Sequence, residues 1–382
     1  MAKDPEHEVL FPVEIADRCA TGPLFGFRHH ETGVFNVTWC GEPPLNSTSR
    51  SADRLGVLTD GAPASSEDSD GLVGHYVDGK PVFTCGGRRC EVHYYSLVQD
   101  VFSRNTGILE TSALLDSKAI ISGCGSVGSQ VALELARSGV GNFLLIDNDK
   151  LAYHNLCRHQ CGITDVGRLK VNAVKDRILD INPHATVRVI ATIIERIPKE
   201  VWDEWLDPAA VIVGCADNRE ADLYANRLSQ LYRAPFVSIG LWERAFAGEL
   251  FWSCPGETPC YYCAFGSRAN DVSFRSSQSR RIYTTEEDLS NLTFEPGIAV
   301  DISFVTNIGV KIALDLFVRA TRPTRLLYAL KQFTLVCNTP KVQVRGDLQE
   351  LFDHPLQVTR SIEVERLSEC PHCRLVGKGP PD

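Results

Sequence analysis

No apolar run in this chain is long enough to cross a bilayer. The best stretch, 303–319, is broken by Asn307, Lys311 and Asp315, so no membrane-spanning helix is expected. Positive charge is not in excess either: 39 Lys and Arg stand against 48 Asp and Glu, a formal charge of −9. That balance argues against nucleic acid or an anionic membrane as the main partner. The opening MAKDPEHEVLF is polar and acidic and has no secretory pattern. Without such a signal, fourteen cysteines point to a reduced, cytoplasmic setting, where they serve as thiols, metal ligands or a catalytic group. No internal repeat is visible. What is present is a chain of 382 residues, 43% hydrophobic, enough for roughly two to three domains and a sizeable core.

The chain is organised around 119–170. An apolar run, Ala119-Ile120-Ile121, enters Gly123-x-Gly125-x-x-Gly128, and a helical pattern continues through Val127, Val131 and Leu135 to Gly139 and Gly141. A second apolar run, Phe143 to Ile146, ends in Asp147. Strand, glycine turn, helix, strand and acid form one Rossmann-type βαβ unit. Gly123 permits the tight turn, Gly125 admits a phosphate to the backbone, and Gly128 lets helix and strand touch. The helix start offers N–H groups and the positive dipole end, and Asp147 is suitably spaced to grip ribose hydroxyls. NAD, FAD and ATP all fit this much.

The residues after Asp147 separate these ligands. Asp149, the run Asn155-Leu156-Cys157-Arg158-His159 and the run Gly167-Arg168-Leu169-Lys170 lie close together. A nicotinamide needs no such cations, whereas a triphosphate does, because Arg and Lys neutralise its outer phosphates. An NAD-dependent oxidoreductase is therefore disfavoured. With GCGSVG, IDNDK, NLCRH, DVGRLK, INPHATV, the CADN of 215–218 and two CxxC pairs, about residues 100–375 resemble the E1/ThiF/MoeB superfamily of ATP-dependent adenylating enzymes. The fold expected is α/β: a Rossmann-like, mainly parallel sheet with flanking helices over 99–382, preceded by a smaller α/β domain over 1–98.

That first segment reads differently. Short strands are expected between Val9 and Trp39, and again at 72–77, 81–84 and 90–94. Between them, 42–71 is rich in Pro, Ser, Asp and Gly and reads as a long loop. The runs Gly22–Gly26 and Gly71–Tyr76 resemble a JAB/MPN-type domain, but the zinc-holding HxH pair is missing and His75 stands alone. A non-catalytic docking or stabilising domain is expected. Residues 95–116 read as a helical linker. Further on, strands are expected at 187–190, 209–214, 236–241 and, antiparallel, 247–252, with helices at 220–232 and 303–320. Short strands, among them 341–345, are expected near the end.

Cys260-Tyr261-Tyr262-Cys263 and Cys370-Pro371-His372-Cys373 are the two CxxC pairs. Brought together they form a four-thiolate zinc site, structural because no coordination position stays open. The superfamily resemblance includes the same knuckles.

The resemblance implies attack of a carboxylate on the α-phosphate of ATP. A carboxylate is already anionic at neutral pH, so no general base is required. In this scheme Asp217 holds Mg²⁺, with a helix N-cap as its alternative role. Arg158 and Lys170 stabilise the leaving pyrophosphate, Asn155 bonds a phosphate, Asp147 holds the ribose, and His159 is an uncommitted candidate for a phosphate. Arg104, in Phe102-Ser103-Arg104-Asn105-x-Gly107-Ile108-Leu109, matches an arginine that reaches the triphosphate of the neighbouring subunit, which implies a homodimer. The substrate implied is the C-terminal carboxylate of a ubiquitin-like protein, with an E2-like protein as next partner. The pattern is most similar to E1-like proteins of bacterial ubiquitin-like conjugation operons, including antiphage ones. In such enzymes the transfer cysteine lies in the crossover loop, here 266–296, but the aligned residue is Thr293 and 264–296 contains no cysteine. Cys124, Cys157, Cys161, Cys254 and Cys337 are candidates for a displaced thiol, each more consistent with a structural role. The alternatives are a ThiF/MoeB-type activator of a sulfur carrier, which the extra domain and the absent crossover cysteine weaken, and a binding module without activity, which intact Arg158, Lys170 and Asp217 weaken.

Overall fold

The computed structural model describes residues 7–41, 52–61, 71–109, 111–242, 245–266, 297–338, 356 and 358–379. The expected crossover loop, with Thr293, lies outside them except for Gly266, as does the strand expected over 341–345. The chain forms two compact units: Met1–Leu115 with Arg137–Gly139 and Asp176–Val187, and Asp116–Ala136 with Val140–Lys175 and Arg188–Asp382.

In the first unit, β1 (Glu8–Pro12), the one-turn helix α1 (Val13–Ala16), β2 (Gly22–His29), β3 (Val34–Cys40), β4 (Asp53–Thr59), β5 (Leu72–Val77), β6 (Lys80–Cys85), β7 (Arg88–Arg89) and β8 (Glu91–Tyr95) come in order. The strands join one mixed sheet, β7-β6-β5-β4-β2-β3-β1-β8. Alternation builds much of its core, with Val9 and Phe11, and Phe35 and Val37, buried beside Leu24, Leu72 and Phe83; Leu55 and Leu58, three apart in β4, are both buried where the β2–β4 register shifts. Two expectations are corrected here. The first 98 residues are not a small α/β domain: among the described residues they form a sheet whose one α-helix spans four residues. And 42–71 is not all loop, because Asp53–Thr59 is an interior strand between β2 and β5. The expected helical linker is helical only in separate single turns, π-helical over Leu97–Val101 and 3₁₀ over Ser103–Asn105 and Thr111–Ala113. Gly107 at φ +82° interrupts it, a conformation that a continuous right-handed helix excludes.

Beyond residue 115, β9 (Lys118–Ser122), α2 (Ser126–Arg137), β10 (Asn142–Ile146), α3 (Lys170–Ile181), β11 (Thr186–Ile190), α4 (Lys199–Trp205), β12 (Val211–Gly214), α5 (Arg219–Tyr232), β13 (Phe236–Leu241), β14 (Ala247–Ser253), α6 (Tyr261–Phe265), α7 (Ala299–Val318), α8 (Leu326–Ala329), β15 (Phe333–Cys337) and β16 (Val358–Ile362) build a second sheet and its helices, the end of α2, α3 from Asp176 and β11 up to Val187 counting with the first unit. The order is β11-β10-β9-β12-β13-β14-β15-β16. Pairing is parallel from β10 through β9 and β12 to β13, then antiparallel through β14, β15 and β16. Ala119, Ile120 and Ile121, Phe143, Leu144 and Leu145, and Val211, Ile212 and Val213 are fully buried, as strands covered on both faces must be. Among the described residues no helix is long and apolar enough to cross a membrane.

Candidate functional site

Adjacent parallel strands β10, β9 and β12 deliver their carboxyl ends to one edge of the sheet, where open α/β folds bind ligands. From β9 comes the glycine turn. Gly123 has φ +92°, and a Cβ there would meet the backbone of Cys215 and Ala216 at 2.9 Å. A Cβ on Gly128 would lie 1.8 Å from the Gly123 carbonyl oxygen, so helix α2 can approach the turn only through a glycine. In front of Gly125 the space is open, with nothing within 4 Å of where a Cβ would stand. That is the cradle a phosphate needs.

From β10 comes Asp147. Its Oδ2 accepts the Cys124 N–H at 2.7 Å and its Oδ1 accepts the Asp149 N–H at 2.8 Å. The carboxylate therefore fixes the glycine turn, and each oxygen keeps a lone pair free to accept a further hydrogen bond. From β12 comes Asp217, exposed, three residues beyond the strand. The helix-cap alternative for it is overturned: Asn218 is the N-cap of α5, its side chain accepting the Ala221 N–H at 2.8 Å. Among the described residues Asp217 makes no hydrogen bond or ion pair, as suits a carboxylate available to a cation.

Lys170 opens α3, is only 9% exposed, and donates to Asp149 Oδ2 at 2.7 Å. The first turn of a helix is where the backbone dipole disfavours a cation, and Asp149 offsets that locally. Asn155 accepts the Ala152 N–H on Oδ1 at 2.9 Å, so any contact from it to a phosphate comes from Nδ2. Arg158 is half-buried. A Cβ on Gly297, the first described residue after the crossover loop, would lie 3.6 Å from Arg158 Nη1. His159 is not a phosphate ligand. It is buried, with Nε2 bonded to the Cys124 carbonyl at 2.9 Å and Nδ1 accepting the Cys161 N–H at 3.1 Å. Burial lowers its pKa from 6.5 and holds the ring neutral. Arg104 belongs to the first unit, exposed on the turn Ser103–Asn105.

Of the candidate transfer thiols, Cys124, Cys161, Cys254 and Cys337 are buried and Cys157 is exposed. Burial raises Cys254 to about 11 and Cys124 well above its ordinary value, which makes both poor nucleophiles.

Cys260, Cys263, Cys370 and Cys373 converge, their sulfurs all within 4.8 Å of one another. Separations are 3.9 Å for Cys260–Cys263 and 3.6 Å for both Cys260–Cys370 and Cys263–Cys373. Four sulfurs about 2.3 Å from a central Zn²⁺ stand about 3.8 Å apart, so the cluster is compatible with zinc. Hydrogen bonding from Cys260 pulls the Cys373 thiol down to about 5, while burial pushes Cys263 up to about 11. A bound divalent cation would let all four ionise. Asn226 of α5 ties the halves together: Oδ1 accepts the Tyr261 N–H at 2.9 Å and the amide bonds His372 Nδ1 at 2.7 Å.

Sequence reading missed a buried network beside this. Arg219 pairs with Glu249 at 3.1 Å, donates to the Tyr261 hydroxyl at 3.1 Å and stacks over Phe265 at 4.2 Å. Trp242 donates to Glu249 at 3.1 Å and Ser238 to Asp222 at 2.6 Å. It links the residue two places beyond Asp217 to the helix that carries Cys263.

A phosphate cradle, an acid on the neighbouring strand and a buried cation at one sheet edge define a nucleotide-binding protein of Rossmann type. Residues 99–354 match the ThiF family, more than half of the chain, and the chain belongs to that family, within the E1/ThiF/MoeB superfamily of adenylating enzymes. It is similar to the ubiquitin-like modifier-activating enzyme 5 of Xenopus laevis, 30% identical over 177 residues, 42% of this chain and 43% of that protein. It is likewise similar to the enzyme of that name from Caenorhabditis elegans, 28% identical over 165 residues, 40% and 39% of the two chains. It thus spans about two fifths of the length of these curated relatives. Among solved structures, E. coli MccB with ATP covers 72% of this chain and 74% of its own at 20% identity, with a TM-score of 0.51. At that identity the likeness is one of fold.

Proposed function

We propose that the chain is an ATP-dependent adenylyltransferase that activates the C-terminal carboxylate of a ubiquitin-like protein. A carboxylate oxygen attacks the α-phosphorus of ATP, the bond from that phosphorus to the bridging oxygen breaks, and pyrophosphate leaves. Gly125 and the start of α2 receive phosphate through backbone N–H groups, and Asp147 orients the ribose. Lys170 and Arg158 take up the charge that grows on the leaving group, and Asn155 Nδ2 donates to a phosphate. Asp217 would hold Mg²⁺, which supplies charge neutralisation between phosphate oxygens. The four-cysteine cluster would hold a structural zinc. The observation that carries this reading is the buried Lys170, set at a helix start within electrostatic reach of Cys124 in the glycine turn. The names of the similar proteins support a ubiquitin-like substrate.

With no cysteine in 264–296 and a single exposed thiol among the five candidates, the acyl group passes to an E2-like partner or a thiol other than the usual one. The test is ATP–pyrophosphate exchange: labelled pyrophosphate should enter ATP only when a ubiquitin-like protein ending in glycine is present. If no such carrier supports exchange while ATP binds, the protein is a binding module instead.

Arg104 is proposed to complete the site of a second copy in a homodimer, in a cytoplasmic setting. Mixing R104A and K170A proteins, each inactive alone, should then regain exchange, because a mixed dimer holds one site with both cations. A mixture as inactive as its components would refute action in trans.

A further inference from the structure

Cys124 is gripped through both of its backbone polar groups: its N–H is held by Asp147 at 2.7 Å, and its carbonyl, the C=O of the peptide to Gly125, is held by His159 Nε2 at 2.9 Å. The protonation of the ring is set by backbone chemistry. The Cys161 N–H can only donate, so Nδ1, 3.1 Å away, carries no proton, and the proton lies on Nε2, where it meets the Cys124 oxygen. No cis peptide occurs among the described residues. In a trans peptide the N–H points opposite to the C=O. Holding the Cys124 carbonyl in one direction therefore turns the Gly125 N–H in the other, and a Cβ on Gly125 would meet nothing within 4 Å, so the backbone there can be approached.

We propose that His159 is a positioning residue for the nucleotide: it anchors the Cys124 carbonyl so that the Gly125 N–H is aimed at a phosphate of ATP. This rests on the reading of the site as one for ATP. The charged groups around the ring have their own partners. Asp165 pairs with Arg168, Lys170 with Asp149, and Asp147 holds the Cys124 N–H. Glutamine offers a donor and an acceptor at the end of a side chain of similar reach, so it can bond the Cys124 carbonyl and the Cys161 N–H together. Asparagine has the same groups one methylene short, and alanine has neither.

The experiment is calorimetric titration of wild type, H159A, H159N and H159Q with ATP–Mg²⁺, and separately with adenosine, which has no phosphate. Loss of one oriented donor to a charged oxygen should weaken ATP binding about 10- to 100-fold in H159A and H159N. H159Q should recover to within about threefold of wild type, and adenosine affinity should be the same in every variant. The proposal is overturned if H159A or H159N binds ATP like wild type, if H159Q shows no recovery, or if adenosine and ATP weaken in parallel, which marks a merely structural role. Should H159A fail to fold, the contrast of glutamine with asparagine decides. A wild-type protein that binds no ATP at all refutes the reading of the site itself, a distinct result.

Discussion

K170A is expected to lower pyrophosphate exchange about 10²- to 10³-fold while moving Tm by no more than a few degrees. The two halves of this expectation come from different environments of the same side chain. Structurally, Lys170 has one strong partner, Asp149, whose side chain is 62% exposed. An ion pair with so wet a partner contributes about 1 kcal/mol or less, and removing the lysine leaves Asp149 facing solvent rather than stranded. Removal also takes a cation away from the first turn of α3, where the helix dipole opposes it. Chemically, the ammonium is nearly buried, within electrostatic reach of Cys124 in the glycine turn, where its charge is less screened than at the surface. Charge grows on pyrophosphate as the bond to the α-phosphorus breaks, and an electrostatic contact made there is worth about 3–4 kcal/mol. A fold-stabilising ion pair gives the opposite pattern: Tm falls and exchange per folded molecule holds. Exchange at a tenth of the wild-type rate or better in folded K170A would leave the adenylation mechanism without its main cation.

What could be read from the sequence is what local backbone chemistry dictates. Gly123 is legible because its φ of +92° suits only glycine, Gly128 because a Cβ there would strike the Gly123 carbonyl in the same turn, Gly125 by its place between them, and Asp147 because it ends the next strand. The CxxC pairs are legible because two thiols three residues apart share one ligand geometry, although their meeting depends on the fold. β4 was hidden because Leu55, Val57 and Leu58 are few, and their Pro-, Ser- and Asp-rich flanks dominate any average over 42–71. His159 stayed undecided in the sequence because its role depends on which two backbone groups lie at its nitrogens, Cys124 and Cys161, and only one of them is a sequence neighbour. The Arg219–Glu249–Tyr261 network was invisible for the same reason: three polar residues on three elements become partners only when the sheet and α6 pack. Asn218 rather than Asp217 capping α5 was a choice between two good caps one residue apart. Taking the cap role from Asp217 strengthens the case for its metal role.

The second large effect is expected at the other end of α5. Purified protein should carry about one zinc per chain, and C370A should lose it. Three thiols cannot hold the ion as four do, and its loss strands Cys260, fully buried, and Cys263, nearly so, without the cation that lets them ionise. Structural zinc sites contribute about 10–16 kcal/mol in small zinc-binding peptides. A preorganised fold recovers part of that through Asn226 and the packing of Tyr262 on His372 at 4.7 Å. If about 4 kcal/mol is lost, a unit of this size melts about 8–16 °C lower. Within the second unit the tail 363–379 is also held by Arg366 to the Gly256 and Thr258 carbonyls at 3.2 and 3.0 Å, by Gly377 to Gln230 at 3.0 Å, by the Lys331–Glu363 pair and by the packing of Val364. It should become the first site of proteolysis. Because the cluster is built on α6 and the tail, and the nucleotide site on the ends of β9, β10 and β12, ATP affinity of still-folded C370A should stay near wild type at low temperature. Elemental analysis, a melting curve and limited proteolysis on the same samples check each step. Wild type that is free of zinc after purification without chelator, together with a C370A melting curve that overlays it, would reduce the cluster to four packed thiols.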